Sequence, residues 1–492
     1  MKKILLAFAA GAAMVLAFAP IAFYPLAIGC LAVLVSLWLR APPGECFRLG
    51  FAFGLGLFGA GVSWIYVSLS VYGGMPAPLA AFATLCFCAL ISLFPAGAGW
   101  LQARIPASPV LRAVLVVPAA WTLFEWLRSW VLSGFPWLSA GYAGAGWPAQ
   151  GLAPIGGVLT VGFATAALAG FLCLFFTLER RRWASAAAIV ALLAGSQALR
   201  ELEWSEASGA PVTVALLQGN IAQELKFRPE RYERIVETYT RLAEESRARL
   251  IVLPETAIPR LLDRIEPAKL ARLEDAARRS SGDLLLGAAF RDAGGRFYNS
   301  VVSLGVSPRQ TYHKSHLVPF GEFVPPLFGW VMQWLEIPMS DFSSGPPAQP
   351  PLAVAGQRVA VNICYEDAFG DRIARQAEHA TLLVNASNVA WFGDSLAPTQ
   401  HLQIARMRSI ETGRVHLTAT NSGVTAAIDR DGTVLARLPQ FAEGRLEIEV
   451  QGYSGSTPYM RFGDWPVLFF CLVILAACVS AARLGHRARE SR

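Results

Sequence analysis

Three side chains of complementary chemistry stand at the ends of strand-like apolar runs. VLPETAIP carries Glu255, HKSHLVPFGEFVP carries Lys314 and VAVNICYEDAFG carries Cys364. A thiol, a carboxylate and an ammonium are the parts of an acyl-transfer site: the thiol attacks a carbonyl carbon, the carboxylate takes and returns the proton, and the ammonium steadies the oxyanion. Glu322 follows Lys314 by eight residues, and Tyr365 and Glu366 adjoin the cysteine. Each has an ordinary alternative. A lone cysteine packs in a core, Glu322 suits an ion pair, and Glu366 with Asp367 suits the cap of a following helix.

The elements that would position these groups alternate. Strand-like runs cover 212–220, 248–255, 283–290, 299–305, 309–315, 358–366, 381–387 and 416–422. Charged amphipathic stretches at 229–247, 266–280, 371–380 and about 398–413 read as helices between them. Asp431-Gly432 marks a hairpin turn. Such alternation predicts a layered α/β domain.

This domain is embedded in an apolar chain. Apolar residues make up 54% of the sequence and mean hydropathy is +0.43, which places the chain among membrane proteins. The division is uneven, since residues 1–203 hold only five acidic side chains, Glu45, Glu125, Glu179, Glu201 and Glu203. Eight spans are expected, at about 4–19, 22–39, 50–71, 78–101, 111–131, 157–178, 183–199 and 465–482. The first resembles a signal peptide, but Pro20 after Ala17-Phe18-Ala19 disfavours cleavage there, so a retained helix is expected. The resulting plan is a membrane domain of about seven helices over 1–203, a catalytic domain over 204–463, and a final helix with a basic tail over 464–492.

Loop charge sets the expected orientation. Lys2 and Lys3, Arg40 and Arg48, Arg104 and Arg112, Arg180 to Arg182, and Arg483 to Arg492 all fall on one side, whereas the loops 72–77 and 132–156 carry no charge. Both termini are then cytoplasmic and the catalytic domain faces the periplasm. The basic residues serve as topology signals, so the net charge of +7 does not argue for nucleic acid. Seven of the eight cysteines lie in or beside the spans; Cys364 is alone in the catalytic domain and has no partner there for a disulfide. No metal-ligand spacing is present. The histidines His313, His316, His401 and His416 leave a Cys–His pair as an alternative.

Order, spacing and context together resemble the nitrilase superfamily of carbon–nitrogen hydrolases over about 211–450. The segment WTLFEWLRSWVLSGFPWLSAGYAG (121–144), QGNI (218–221), HKSHLVPFGEFVP (313–325) and AWFGDSLAPTQHLQIARMRSIETGR (390–414) extend the resemblance to the apolipoprotein N-acyltransferases. That resemblance implies a multi-span helical membrane domain joined to an α/β nitrilase-like αββα sandwich. It implies transfer of an acyl chain from a phospholipid to the N-terminal amine of a diacylglyceryl-cysteine lipoprotein at the inner membrane, by a ping-pong route through a cysteine thioester. Glu255, Lys314 and Cys364 match the triad, and Glu322, Tyr365 and Glu366 match supporting residues. Phe227 and Val389 depart from the family pattern.

Glu125, Arg128, Phe323, Trp330 and Trp391 are expected lipid or acceptor contacts, and Phe323, Leu327, Phe328, Trp330 and Trp334 after the lysine motif are expected to form an interfacial lid for acyl chains. The chemistry requires no metal or organic cofactor, and nothing in the sequence demands more than a monomer. The competing readings are a tethered amidase with the same triad and water as acceptor, a transporter with an ectodomain, and a non-catalytic lipid-binding scaffold.

Overall fold

The computed structural model describes residues 1–324 and 341–490. Trp330, Trp334, Phe328 and Leu327 lie outside the described residues. The chain divides into two compact units. One comprises Met1–Ser63, Ala81–Glu203 and Phe462–Arg492; the other comprises Trp64–Ala80 and Trp204–Arg461.

The apolar unit is helical. Among the described residues, five helices are long and apolar enough to cross a membrane: Ala77–Arg104, Pro109–Arg128, Pro148–Thr177, Glu179–Leu199 and Trp465–Leu484. The expected span at 50–71 is a pair, Pro43–Gly61 and Ile65–Tyr72, bent by 58°. The two expected spans before it are helices of 13 residues (Lys2–Met14) and 15 residues (Tyr24–Trp38), shorter than a straight crossing needs. Lys2–Met14 lies close against Pro43–Gly61. A Cβ on Gly11 would sit 1.9 Å from the Phe53 carbonyl oxygen, and one on Gly56 would sit 2.1 Å from that of Phe8. Only glycine permits this backbone contact, as in small-residue helix packing.

The other unit is the expected α/β sandwich. Its strands in chain order are β1 (Ser205–Ala207), β2 (Val212–Gln218), β3 (Leu250–Val252), β4 (Asp283–Arg291), β5 (Phe297–Gly305), β6 (Thr311–His313), β7 (Leu352–Val354), β8 (Gln357–Ile363), β9 (Leu382–Ser387), β10 (Val415–Thr420), β11 (Ala426–Ile428), β12 (Val434–Arg437), β13 (Gly444–Val450) and β14 (Tyr453–Gly455). Two six-stranded sheets run β13-β2-β3-β4-β5-β6 and β12-β11-β10-β9-β8-β7, and β1 pairs with β14. Pairing is parallel along β2-β3-β4 and along β8-β9-β10, and antiparallel where hairpins connect neighbours. The β11–β12 hairpin turns at Asp431-Gly432 as expected.

Alternation along each strand builds the layers. Val212, Val214 and Leu216 of β2 meet Val359, Val361 and Ile363 of β8 between the sheets. Ala215 and Leu217 turn the other way, onto the helices Tyr232–Glu244 and Pro267–Arg278. Helix Gly370–Ala377 covers the opposite outer face through Ile373 and Ala377, and helix Ala397–Thr412 covers it through Leu402 and Ala405.

Candidate active site

Glu255, Lys314 and Cys364 each follow a strand, β3, β6 and β8 respectively, and the sheets bring all three together. Lys314 Nζ lies 3.4 Å from Glu255 Oε1 and 2.8 Å from Glu322 Oε2. Asn299, in β5, donates its carboxamide to both glutamates at 2.7 Å. The other oxygen of Glu255 accepts the Asn388 N–H at 2.9 Å, and that of Glu322 accepts the Val318 N–H at 2.8 Å. Both carboxylates are therefore fixed by donors before any substrate arrives, which is preorganisation of the kind that lowers barriers.

Cys364 begins the turn Cys364–Ala368 in a left-handed conformation, φ 52°. A β-carbon makes that costly, and such strain gathers at functional positions. The turn is held from two sides. Asn385 donates to the Cys364 carbonyl at 3.1 Å. Glu366 accepts from the main chain of Ile363 (2.8 Å), Ser315 (2.8 Å) and His316 (3.0 Å), and from the Tyr312 hydroxyl (3.0 Å). Glu366 thus ties the segment bearing Lys314 to the turn bearing Cys364. Burial pushes its carboxyl up, opposed by Lys314 and by these donors.

The electrostatics assign the resting state. Burial pushes the Cys364 thiol up to about 12; Glu255 adds to this and Lys314 opposes it. The thiol is therefore protonated at neutral pH, and attack needs a base in place to receive the proton. Glu255 is the carboxylate with the largest influence on the thiol. Burial pulls Lys314 down, but Glu322 and Glu255 more than reverse it and hold the ammonium charged. His401 takes no part as an imidazolium: burial drives it down to about 4, against the pull of a bond to the Cys364 main chain. The Cys–His alternative is thereby disfavoured.

The remaining expected contacts divide. Tyr365 packs its ring near His316 and Phe369, at 6.1 and 5.2 Å between centroids. Phe323 is half-buried and its main chain receives the Phe320 N–H. Trp391 is half-buried, its carbonyl accepts the Ser68 hydroxyl at 2.7 Å, and its ring meets Tyr72 at 6.1 Å. Beside it, Trp64 packs on Phe392 at 4.5 Å and donates to Gln400 at 3.2 Å. In the apolar unit, Glu125 and Arg128 are buried. Arg128 donates to the carbonyls of Phe135 and Trp137 and to Ser139, and Glu125 accepts the Ala140 N–H at 2.8 Å. Both residues fasten the 134–140 loop. Among the described residues no cluster of histidine, cysteine or acidic side chains is arranged to hold a metal ion.

Sequence reasoning did not single out Asn299, and it met Lys226 and Asn388 only as the residues before Phe227 and Val389 in two family segments. Asparagine is depleted in strands, so Asn299, Asn362 and Asn385, all buried within strands, were the available signal.

Residues 10–171 match the family model described as the apolipoprotein N-acyltransferase N-terminal domain, and residues 213–459 match that of carbon–nitrogen hydrolases. An apolipoprotein N-acyltransferase of Nitrosomonas europaea is 45% identical over 99% of this chain and 98% of its own length. The chain belongs to the apolipoprotein N-acyltransferase family. Members from Methylococcus capsulatus and Pseudomonas syringae are 42% and 39% identical, over 100% and 98% of this chain and 99% and 97% of theirs. Membership makes the chain an acyltransferase, with apolar helices and a carbon–nitrogen hydrolase domain in one chain.

Proposed function

We propose that the chain moves an acyl group from a phospholipid to the N-terminal α-amine of a diacylglyceryl-cysteine lipoprotein, in two half-reactions through a thioester on Cys364. The observation that carries this reading is the thiol beside a carboxylate whose oxygens are already fixed by Asn299, Lys314 and Asn388. In the first half-reaction Glu255 takes the thiol proton as sulfur attacks the ester carbonyl. Lys314, helped by the Tyr365 N–H, stabilises the tetrahedral oxyanion. Glu255 then protonates the departing alkoxide, which leaves as a lysophospholipid. In the second half-reaction the lipoprotein amine attacks the thioester, gives its proton to Glu255, and the thiol is restored as the amide forms. Glu322 holds Lys314 charged and aligned throughout.

Helices with the length and composition of spans favour a substrate met at the membrane, and tethering confines the search to its surface. The loop charges favour a periplasmic catalytic domain with both termini in the cytoplasm, and hence work at the inner membrane. The direct test is to incubate purified protein with phospholipid alone and measure intact mass, with Cys364→Ser in parallel. A hydroxylamine-sensitive gain of one acyl chain on Cys364 is expected. No adduct, with turnover of small amides instead, would establish the tethered amidase.

A further inference from the structure

Lys226 ends the short Gln223–Lys226 helix and is only 2% exposed. Its Nζ donates to the main-chain carbonyl of Glu255 at 3.2 Å. Three residues earlier, Gln223 accepts the Asn388 carboxamide at 2.8 Å, and Asn388 in turn gives its N–H to the Glu255 carboxylate at 2.9 Å. One segment therefore holds Glu255 twice, once through its backbone and once, by way of Asn388, through its side chain.

The charges around Lys226 give this placement a meaning. From the segment after β3 it faces Glu255, and from the turn after β8 it faces Cys364. Lys314 and Glu322, after β6, reach the same centre through Glu255. Lys314 contacts two carboxylates, Glu255 and Glu322, and acts on a third, Glu366, so a single ammonium does not balance them. Proton transfer from Cys364 to Glu255 moves a negative charge from oxygen to sulfur, and attack moves it on to the acyl oxygen. At every stage the centre holds more carboxylate or thiolate groups than the one ammonium of Lys314 offsets. A buried uncompensated charge is expensive.

We propose that Lys226 is a second cation, a positioning residue that holds the Glu255 main chain and balances the charge migrating from Glu255 to sulfur to oxyanion. Burial lowers its ammonium to about 8, and Glu255 and Cys364 pull it back up, so it is charged at neutral pH. The inference rests on Cys364 being the nucleophile.

The test is the rate at which iodoacetamide alkylates Cys364 in the full-length protein as a function of pH, followed on its peptide by mass spectrometry. Lys226→Gln keeps a donor for the Glu255 carbonyl but loses the charge, and Lys226→Arg keeps the charge; thermal melts identify folded variants. The Gln variant should alkylate about tenfold more slowly at pH 7, the effect of a thiol shifted by one further unit, and the Arg variant should recover most of that rate. A Gln profile that superimposes on the wild type would overturn the proposal, as would an Arg variant as slow as Gln. Alkylation needs neither lipid nor lipoprotein. A failure here therefore counts against Lys226 alone, whereas a missing acyl adduct counts against the thioester.

Discussion

Two buried cations, Lys314 and Arg128, are 1% and 2% exposed, and each has glutamate beside it. Burial does not distinguish them; their partners do. Arg128 spends its donors on main-chain carbonyls and a serine, and Glu125 is held by a main-chain N–H, so the pair pins one loop conformation. Lys314 bonds the carboxylates of Glu255 and Glu322, beside a thiol in a strained turn. A buried charge whose partners are backbone is committed to structure. One whose partners are titratable is available for chemistry.

Substitutions should separate the two. Cys364→Ala is expected to abolish transfer to a diacylglyceryl peptide, by roughly a thousandfold or more, while leaving the melting temperature nearly unchanged. Lys314→Met should cost about a hundred- to a thousandfold in kcat, the scale for losing one oxyanion donor; Lys314→Arg should recover little, because a guanidinium fork does not fit a point-charge site. Arg128→Met should reverse the pattern. It should cost about 3–5 kcal/mol of stability by stranding Glu125, while the protein that folds alkylates Cys364 at the wild-type rate. Wild-type melting with lost turnover for Arg128→Met would erase the distinction. The smallest effect is expected from Ser68→Ala, about 1 kcal/mol for one lost hydrogen bond, read as a small drop in melting temperature.

The sheets were legible because alternation along β2 and β8 is dictated by two-sided burial, and a sequence shows alternation directly. The placing of Glu255, Lys314 and Cys364 was legible because each adjoins a strand end with a recognisable flank. What escaped were residues whose role depends on distant partners. Asn299 bridges Glu255 and Glu322, which lie far apart in sequence, and Asn388 acts through its backbone N–H, which any residue has. Glu125 and Arg128 lie three residues apart on one helix, but the main-chain groups they hold belong to an irregular loop with no periodicity to read. The short edge strands β7 and β14 escaped for a similar reason, since three residues are too few to show a period.

The grip of Trp64 and Ser68 on Gln400 and Trp391 has a consequence for how the chain is made. Trp64 leaves the ribosome 336 residues before Gln400, an interval of roughly 20 to 70 seconds at ordinary elongation rates. Throughout that time an indole and a bent apolar helix wait without their surface. Substitutions in the 64–72 segment should therefore show first as failed biogenesis, in the amount of protein that survives translation, before they show in any rate measured on the finished enzyme.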